Sequence, residues 1–152
     1  MTQLHFQRST LIHAPVDIVW EFHERPDILD ILTPPWQPVE IKRREGGLGV
    51  GAETEFRIWL GPVPVRWLAR HTACEPYRLF IDEQVDGPLE RWIHRHQFDN
   101  EEGKTRLTDA IAFELPAQPV SAWMLESFIK ARLEDMFRYR HDITRQECER
   151  WG

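Results

Sequence analysis

The stretch IHAPVDIVW, residues 12–20, joins the end of a strand to the start of a helix. The preceding residues, Leu4–His13, have strand character, and Pro15 suits the first position of a helix because it has no backbone N–H that needs a partner. The junction Arg25–Pro26 then ends the helix. Side chains at i, i+3, i+4 and i+7 predict one packed helix face: Val16, Val19, Trp20 and His23.

After a second short helix, predicted at Asp27–Leu32, the hydrophobic period changes to two between Pro38 and Leu115. Glycine, proline, asparagine and aspartate separate the alternating segments, as tight turns require. Together with the first strand, these segments predict an antiparallel meander of about seven strands. The six segments are Val39–Glu45, Glu53–Leu60, Val63–Ala73, Arg78–Val85, Leu89–Phe98 and Thr105–Leu115.

The longest helix is predicted at Val120–Glu147, where the period returns to 3.6 without an internal glycine or proline. Its first half is broadly apolar, and its charged run Arg138–Asp142 is interpreted as a solvated helix end, with contact to a partner protein as the alternative. A long amphipathic helix and a sheet with one apolar face bury both surfaces when the helix packs across a curved sheet. The sequence therefore predicts an α+β fold in a single domain, residues 1–152, with a cavity between sheet and helix.

Charge and cysteine content exclude several classes of protein. The 25 acidic and 19 basic residues give a formal net charge of -6, and the basic residues are scattered, so no nucleic acid partner is expected. Cys74 and Cys148 lie far apart and lack the CxxC spacing of a zinc site or a redox pair, which favours a reducing cytoplasm. Neither a signal peptide nor a membrane-spanning segment is evident, so we expect no integral membrane association. The loop GLGVGA, residues 47–52, matches the glycine pattern of dinucleotide-binding loops, but it precedes a predicted strand. Such a loop needs a helix N-terminus after it to bind the pyrophosphate, so no nucleotide or other cofactor is expected.

The motif Ile12–Trp20 resembles the start of START-like proteins, also called the SRPBCC or polyketide cyclase/dehydrase and lipid-transport superfamily. The resemblance extends to the meander, to the turn Gly103–Leu107 and to the C-terminal helix. It implies a helix-grip fold with a deep, largely apolar cavity, as in lipid carriers, plant hormone receptors and aromatase/cyclases. No catalytic motif of a characterised member maps onto this chain, so the fold transfers better than the activity.

The candidate catalytic residues are two histidines on one predicted strand, His94 and His96, together with Asp109 on the last strand. His94 and His96 alternate with aromatic side chains on a face that we expect to point into the cavity. A turn at Asn100–Gly103 that pairs residues 98 and 105 would place His94 near Asp109 on the last strand. Such a pair either moves a proton in catalysis or is a satisfied buried pair that fixes strand register.

Histidines at i and i+2 on a strand can also bind zinc, although this spacing is only a weak signal. Asp109, Glu83 and His71 are the candidates for a third ligand. The sequence contains no compact set of four ligands, so we expect no metal.

The leading functional hypothesis is a binding protein, without catalysis or weakly catalytic, for an apolar or aromatic small molecule. One alternative is an enzyme of the cyclase or dehydratase kind, and another is a protein-interaction module with an apolar groove.

The sequence does not decide which residues of Val63–Ala73 face inward: either the odd-numbered set Trp67, Ala69 and His71 or the even-numbered set Arg66, Leu68 and Arg70. The oligomeric state is not predicted. The residues expected to contact the ligand are Phe56, Ile58, Trp67, His71, Trp92, Ile111, Phe113, Trp123 and Phe128.

Overall fold

Seven antiparallel strands form one curved sheet with the spatial order β1-β7-β6-β5-β4-β3-β2. The computed structural model describes residues 3–116 and 122–151. Apart from β1, which lies beside β7, every strand pairs with its neighbour in sequence, so the predicted meander and the predicted helix-grip fold are confirmed. In chain order the elements are β1 (Leu4–Ile12), α1 (Val16–His23), α2 (Ile28–Leu32), β2 (Val39–Glu45), β3 (Glu53–Leu60), β4 (Val63–Glu75), β5 (Leu79–Asp86), β6 (Arg91–Glu101), β7 (Lys104–Glu114) and α3 (Ala122–Trp151).

The β6–β7 hairpin is tighter than the sequence predicted. Glu101 pairs with Lys104, so only Glu102 and Gly103 form the turn, with φ values of 54° and 83°. Two consecutive residues with positive φ are typical of the type I′ turn that favours two-residue hairpins. The shorter turn moves the register by two residues.

In the observed register His96, and not His94, lies directly opposite Asp109. His94 lies opposite Ile111 instead. The predicted register, with His94 opposite residue 109, is therefore wrong by two residues, although the side chains of His94 and Asp109 are in contact as predicted. Both histidines nevertheless face the same side as Asp109, because a shift of two residues preserves the strand face.

The long helix packs on β1, α1 and α2 along one stripe. The predicted solvated end at Arg138–Asp142 is wrong for His141, which is only 1% exposed. His141 continues the stripe one turn beyond Phe137, because positions i and i+4 share a helix face. Val120 lies outside the described residues. The buried members of the stripe are Leu133, Phe137, His141, Thr144 and Cys148.

Two apolar clusters form the core. One lies beneath α1, where Trp20 contacts Phe80 and Phe98 with ring centroids 5.8 and 5.1 Å apart. The other joins Phe113 on β7 to Phe137 on α3. The strand positions between the two clusters carry polar side chains, and these form the site described next.

Candidate functional site

The inward face of β4 carries Trp67, Ala69 and His71. Trp67 stacks on Phe56 of β3 with centroids 5.8 Å apart, and Ala69 is buried. The alternate residues of β4 lie on the convex face, where Arg66 donates hydrogen bonds to Glu55 and Asp86, and Arg70 donates to Glu53. The structure thus resolves the alternative that the sequence left open.

Four aromatic and aliphatic side chains line a groove on the concave face of the sheet. We define this aromatic groove as Phe56, Ile58, Trp67 and Trp92, all of which are half-buried. The edge of one indole meets the face of the other, with the rings of Trp67 and Trp92 at 5.1 Å and 90°. Because α3 packs mainly on β1 and the two short helices, it leaves these side chains partly accessible.

The predicted helix side of the cavity is not formed as expected. Trp123 is 70% exposed and Phe128 is 62% exposed, so neither closes the groove. Ile111 and Phe113 are fully buried in the apolar core beside the groove. The hydrophobicity of the first half of α3 predicts burial but does not say which helix face meets the sheet.

Two cavities of the described structure lie away from the groove. One, of about 230 Å³, lies between α1 and α3 and is lined by Phe22 and Cys148 among others. The second, of about 200 Å³, lies on the sheet surface near Gln7 and Arg95. Residues of the aromatic groove line neither of these two cavities, and its four side chains are all partly exposed.

Asp109 is the centre of a buried cluster of histidines. His94 donates a hydrogen bond from Nε2 to Oδ1 of Asp109 at 2.8 Å, and His141 of α3 donates from Nε2 to Oδ2 at 2.6 Å. The Nδ1 atom of His96 lies 3.2 Å from the same Oδ1. The carboxylate of Asp109 on β7 thus fixes three imidazole rings, two from β6 and one from the long helix.

Asp82 of β5 forms the second acidic side of the cluster. His96 donates from Nε2 to Oδ2 of Asp82 at 2.8 Å, and Nδ1 of His94 lies 3.9 Å from that oxygen. The His94 and His96 rings stack with centroids 3.6 Å apart. We define the His–Asp cluster as Asp82, His94, His96, Asp109 and His141. His71 is not part of it, because its Nδ1 atom hydrogen-bonds to the carbonyl of Leu48.

Burial and hydrogen bonding act in opposite directions on the charges of this cluster. Burial raises the pKa of Asp109, but the hydrogen bonds from His141, His94 and His96 outweigh it and hold the pKa well below its usual range. Burial lowers the pKa of His96, yet its contacts with Asp109 and Asp82 raise the pKa above the usual value. Burial, followed by the neighbouring His96, lowers the pKa of His94. Within the stacked pair, these shifts favour a protonated His96 and a neutral His94.

A sequence profile of the protein family described as polyketide cyclase / dehydrase and lipid transport matches residues 12–138. The chain belongs to this family. The match includes both the motif that begins α1 and most of the His–Asp cluster. Because the match ends at residue 138, His141 lies outside it. None of the curated proteins is similar in sequence at a significant level.

Solved structures with the family's fold include several enzymes. The Zhui aromatase/cyclase from Streptomyces sp. R1128 is 19% identical, with 98% of this chain and 95% of that chain covered and a TM-score of 0.77. Norcoclaurine synthase from Thalictrum flavum, in complex with dopamine and hydroxybenzaldehyde, is 12% identical, with coverage of 99% and 89% and a TM-score of 0.71. The di-domain ARO/CYC StfQ from the steffimycin biosynthetic pathway is 10% identical, with coverage of 97% and 52% and a TM-score of 0.77. At these identities the likeness shows the fold alone.

Asp82 and His141 belong to the site of this polyketide cyclase-family chain but were not predicted from its sequence. Asp82 alternates with Phe80 on β5 and therefore shares its inward face, whereas Glu83, considered as a metal ligand, belongs to the opposite face. His141 follows Phe137 by four residues, and this spacing was a usable signal. The surrounding charges of Arg138–Asp142 obscured it.

Within residues 3–116 and 122–151, no helix is both long and apolar enough to cross a bilayer. Cys74 and Cys148 are free thiols. The cytoplasmic location stays a prediction.

Buried His23 beside the cluster predicts a pH-dependent stability. Burial lowers the pKa of His23 to about 4, and its Nδ1 donates to the carbonyl of Val19 at 2.8 Å. His96, Asp109 and His141 are the other titratable groups that act on it. The unfolded chain takes up this proton near pH 6.5 and the folded protein only near pH 4, so folding loses stability as the pH falls through that window.

We expect this single group to lower the free energy of unfolding by about 3 kcal/mol between pH 7.5 and pH 4. Urea unfolding of the wild type and of His23→Leu at both pH values isolates the contribution, because all other groups titrate in both proteins. A wild-type loss no larger than that of the variant would show that His23 is not held neutral by burial.

Proposed function

We propose that this family member binds a small aromatic or otherwise apolar molecule that carries at least one hydrogen-bonding group. One observation supports the proposal above the others: the aromatic groove borders the His–Asp cluster on the same face of the sheet. Trp92 precedes His94 by two residues on β6, so the indole and the imidazole are neighbours on one strand face. A mostly apolar surface with a few convergent polar groups is typical of small-molecule sites.

The groove supplies the apolar contacts for such a ligand. The edge-to-face arrangement of Trp67 and Trp92 leaves aromatic surface for a planar ring, and Phe56 extends this surface across β3. The cluster supplies the polar contacts, since the side chains of Asp82 and His96 retain 17% and 12% exposure while Asp109 and His141 are closed off. A ligand hydroxyl or carbonyl would therefore meet Asp82 or His96 first.

The naphthalene alcohol 2-naphthol is a suitable probe, because it combines two fused rings with one hydroxyl. We expect its addition to shift the indole N–H resonances of Trp67 and Trp92 in a two-dimensional NMR titration. Trp36 and Trp59 serve as internal controls, since Trp36 packs against Tyr139 and Trp59 lies beside Arg57 on the convex face of β3. Shifts confined to the two control tryptophans would contradict binding in the groove.

A Trp67→Ala substitution should weaken 2-naphthol binding at least about tenfold, which corresponds to about 1.4 kcal/mol. The loss arises because the indole forms the centre of the groove, in contact with both Phe56 and Trp92. Trp59→Ala is the matched control, as it removes an indole from the opposite face of the sheet. Equal affinities of the two variants for 2-naphthol, measured by the same titration, would place the binding site elsewhere.

A second candidate function is acid–base catalysis of the dehydratase or cyclase kind. The observation that favours it is the pair of stacked imidazoles held by two carboxylates at the end of an apolar groove. A dehydration needs one group to take a proton from carbon and another to protonate the leaving hydroxide. His94, His96 and Asp109 supply two imidazoles and a carboxylate that orients them.

The third candidate is a protein-interaction module, which the open groove also suits. It differs from the first two in its occupant, a peptide or a partner helix instead of a small molecule. The buried charge beside the groove favours the small-molecule proposal, because a hydrophobic peptide anchor gains nothing from hydrogen-bonding groups at the end of its groove.

A further inference from the structure

We propose that Asp82, His94 and His96 form a binding site for one divalent transition-metal ion. Each of the three side chains offers one ligand atom, and these atoms all lie within 4.8 Å of one another. The inference goes beyond the proposed function and does not depend on it, since the metal can be tested without any organic ligand. It also revises the expectation of no metal drawn from the sequence, in which Asp82 was not considered as a ligand.

The sheet itself assembles the three ligands. His94 and His96 are two residues apart on β6 and share its concave face, and Asp82 is the direct cross-strand partner of His94 on β5. Ring stacking at 3.6 Å aligns the two imidazoles so that both approach the same carboxylate. The three ligands thus lie on two adjacent paired strands, with no loop between them, and rigid elements of this kind hold a metal site more accurately than loops do.

Asp109 would not bind the metal itself but would hold the two ligating histidines by hydrogen bonds. It accepts the hydrogen bond of His94 through Nε2 and faces Nδ1 of His96 at 3.2 Å. Nδ1 of His94 and Nε2 of His96 therefore remain on the Asp82 side, at 3.9 and 2.8 Å from Oδ2. A carboxylate behind each ligating histidine is the arrangement that fixes the tautomer and strengthens the ligand in known metal sites.

The donor set selects the class of metal. Two imidazole nitrogens and one carboxylate oxygen suit Zn²⁺, Fe²⁺ and similar ions, whereas Mg²⁺ and Ca²⁺ prefer oxygen ligands alone. Ligand bonds of about 2.0–2.2 Å place neighbouring donor atoms roughly 3.0–3.5 Å apart. Oδ2 of Asp82 lies 2.8 Å from Nε2 of His96 and 3.9 Å from Nδ1 of His94, which brackets this range, and one donor atom of each residue lies within 4.8 Å of the other two. The ion would enter from the partly exposed side of Asp82.

Zinc binding by the full chain tests the proposal. We expect native mass spectrometry to show one Zn²⁺ per chain, and competition with a chromophoric chelator to show at least about a 100-fold loss of affinity in Asp82→Asn and in His96→Gln. Loss of an outer-shell partner alone costs 10–100-fold in known sites, so loss of a direct ligand should cost more. The double variant His5→Gln/His13→Gln removes two exposed histidines and should bind as the wild type does. Equal affinity in Asp82→Asn and the wild type, or no retained zinc in the folded wild type, would overturn the proposal.

A measurement on the wild type keeps the test independent of variant folding. Long-range proton–nitrogen NMR spectra of the imidazole rings should show zinc binding at Nδ1 of His94 and Nε2 of His96, while Nε2 of His94 keeps its proton. Changes confined to His5 and His13 would instead assign the zinc to the protein surface.

Discussion

Asp109→Asn is expected to lower the free energy of unfolding by about 3–5 kcal/mol at pH 7. The substitution keeps the shape of the side chain but removes the charge to which His94 and His141 donate. An amide cannot accept all the hydrogen bonds that the carboxylate accepts, since one end of it is itself a donor. Removing one member of a buried charged group leaves the remaining polar atoms without hydrogen-bond partners, and this accounts for the large loss of stability.

Urea denaturation followed by circular dichroism measures this change. Asp82→Asn is the matched control, because Asp82 is also paired with a histidine but retains partial exposure and makes one short contact. We expect its cost to be about 1.5–3 kcal/mol, the range for a hydrogen bond to a charged group. If Asp109→Asn costs no more than Asp82→Asn, then Asp109 does not hold the cluster together.

His94→Gln is expected to lower kcat/KM for a model dehydration by about 10²–10⁴-fold if the cluster acts as an acid–base catalyst. A suitable substrate is 4-hydroxy-4-phenylbutan-2-one. In its dehydration a base removes a proton from the carbon beside the carbonyl, the carbon–oxygen bond of the alcohol breaks, and the leaving hydroxide takes a proton to become water. The conjugated product is followed by its ultraviolet absorbance.

The matched control for this prediction is His71→Gln. His71 lies on the same concave face but hydrogen-bonds to Leu48 and not to Asp109, so its loss should leave turnover within about threefold. Affinity for 2-naphthol, measured on both variants, separates catalysis from binding. A parallel loss of turnover and affinity in His94→Gln would indicate a binding role, and full retention of turnover would exclude His94 as the acid–base group.

Much of the fold follows from the sequence because hydrophobic period and turn residues act locally. The alternation of Trp92, His94 and His96 placed these side chains on the inward face correctly, since parity survives any shift by two residues. The exact partner of each histidine did not follow. It depends on whether the turn contains two or four residues, and the backbone angles at Glu102 and Gly103 decide that.

The members of the site that come from distant elements were harder to predict. Asp82 reaches the cluster through the pairing of β5 with β6, and His141 reaches it because α3 packs against β1. Neither is encoded in a local pattern, although each residue lies on a periodic face that contains buried neighbours. Trp123 shows the reverse error, as a large apolar side chain was assigned to the cavity although it is exposed. Hydrophobicity indicates that burial is favourable but does not say against which surface.

The central claim is that the aromatic groove beside the His–Asp cluster holds a small molecule. Native mass spectra of freshly purified protein test it most directly, with a denatured and extracted sample to identify any released compound and with 2-naphthol added to a second aliquot. We predict a retained apolar compound at near-stoichiometric occupancy, or a 1:1 adduct with 2-naphthol that Trp67→Ala weakens and Trp59→Ala does not. A bare protein mass in both samples would contradict the account.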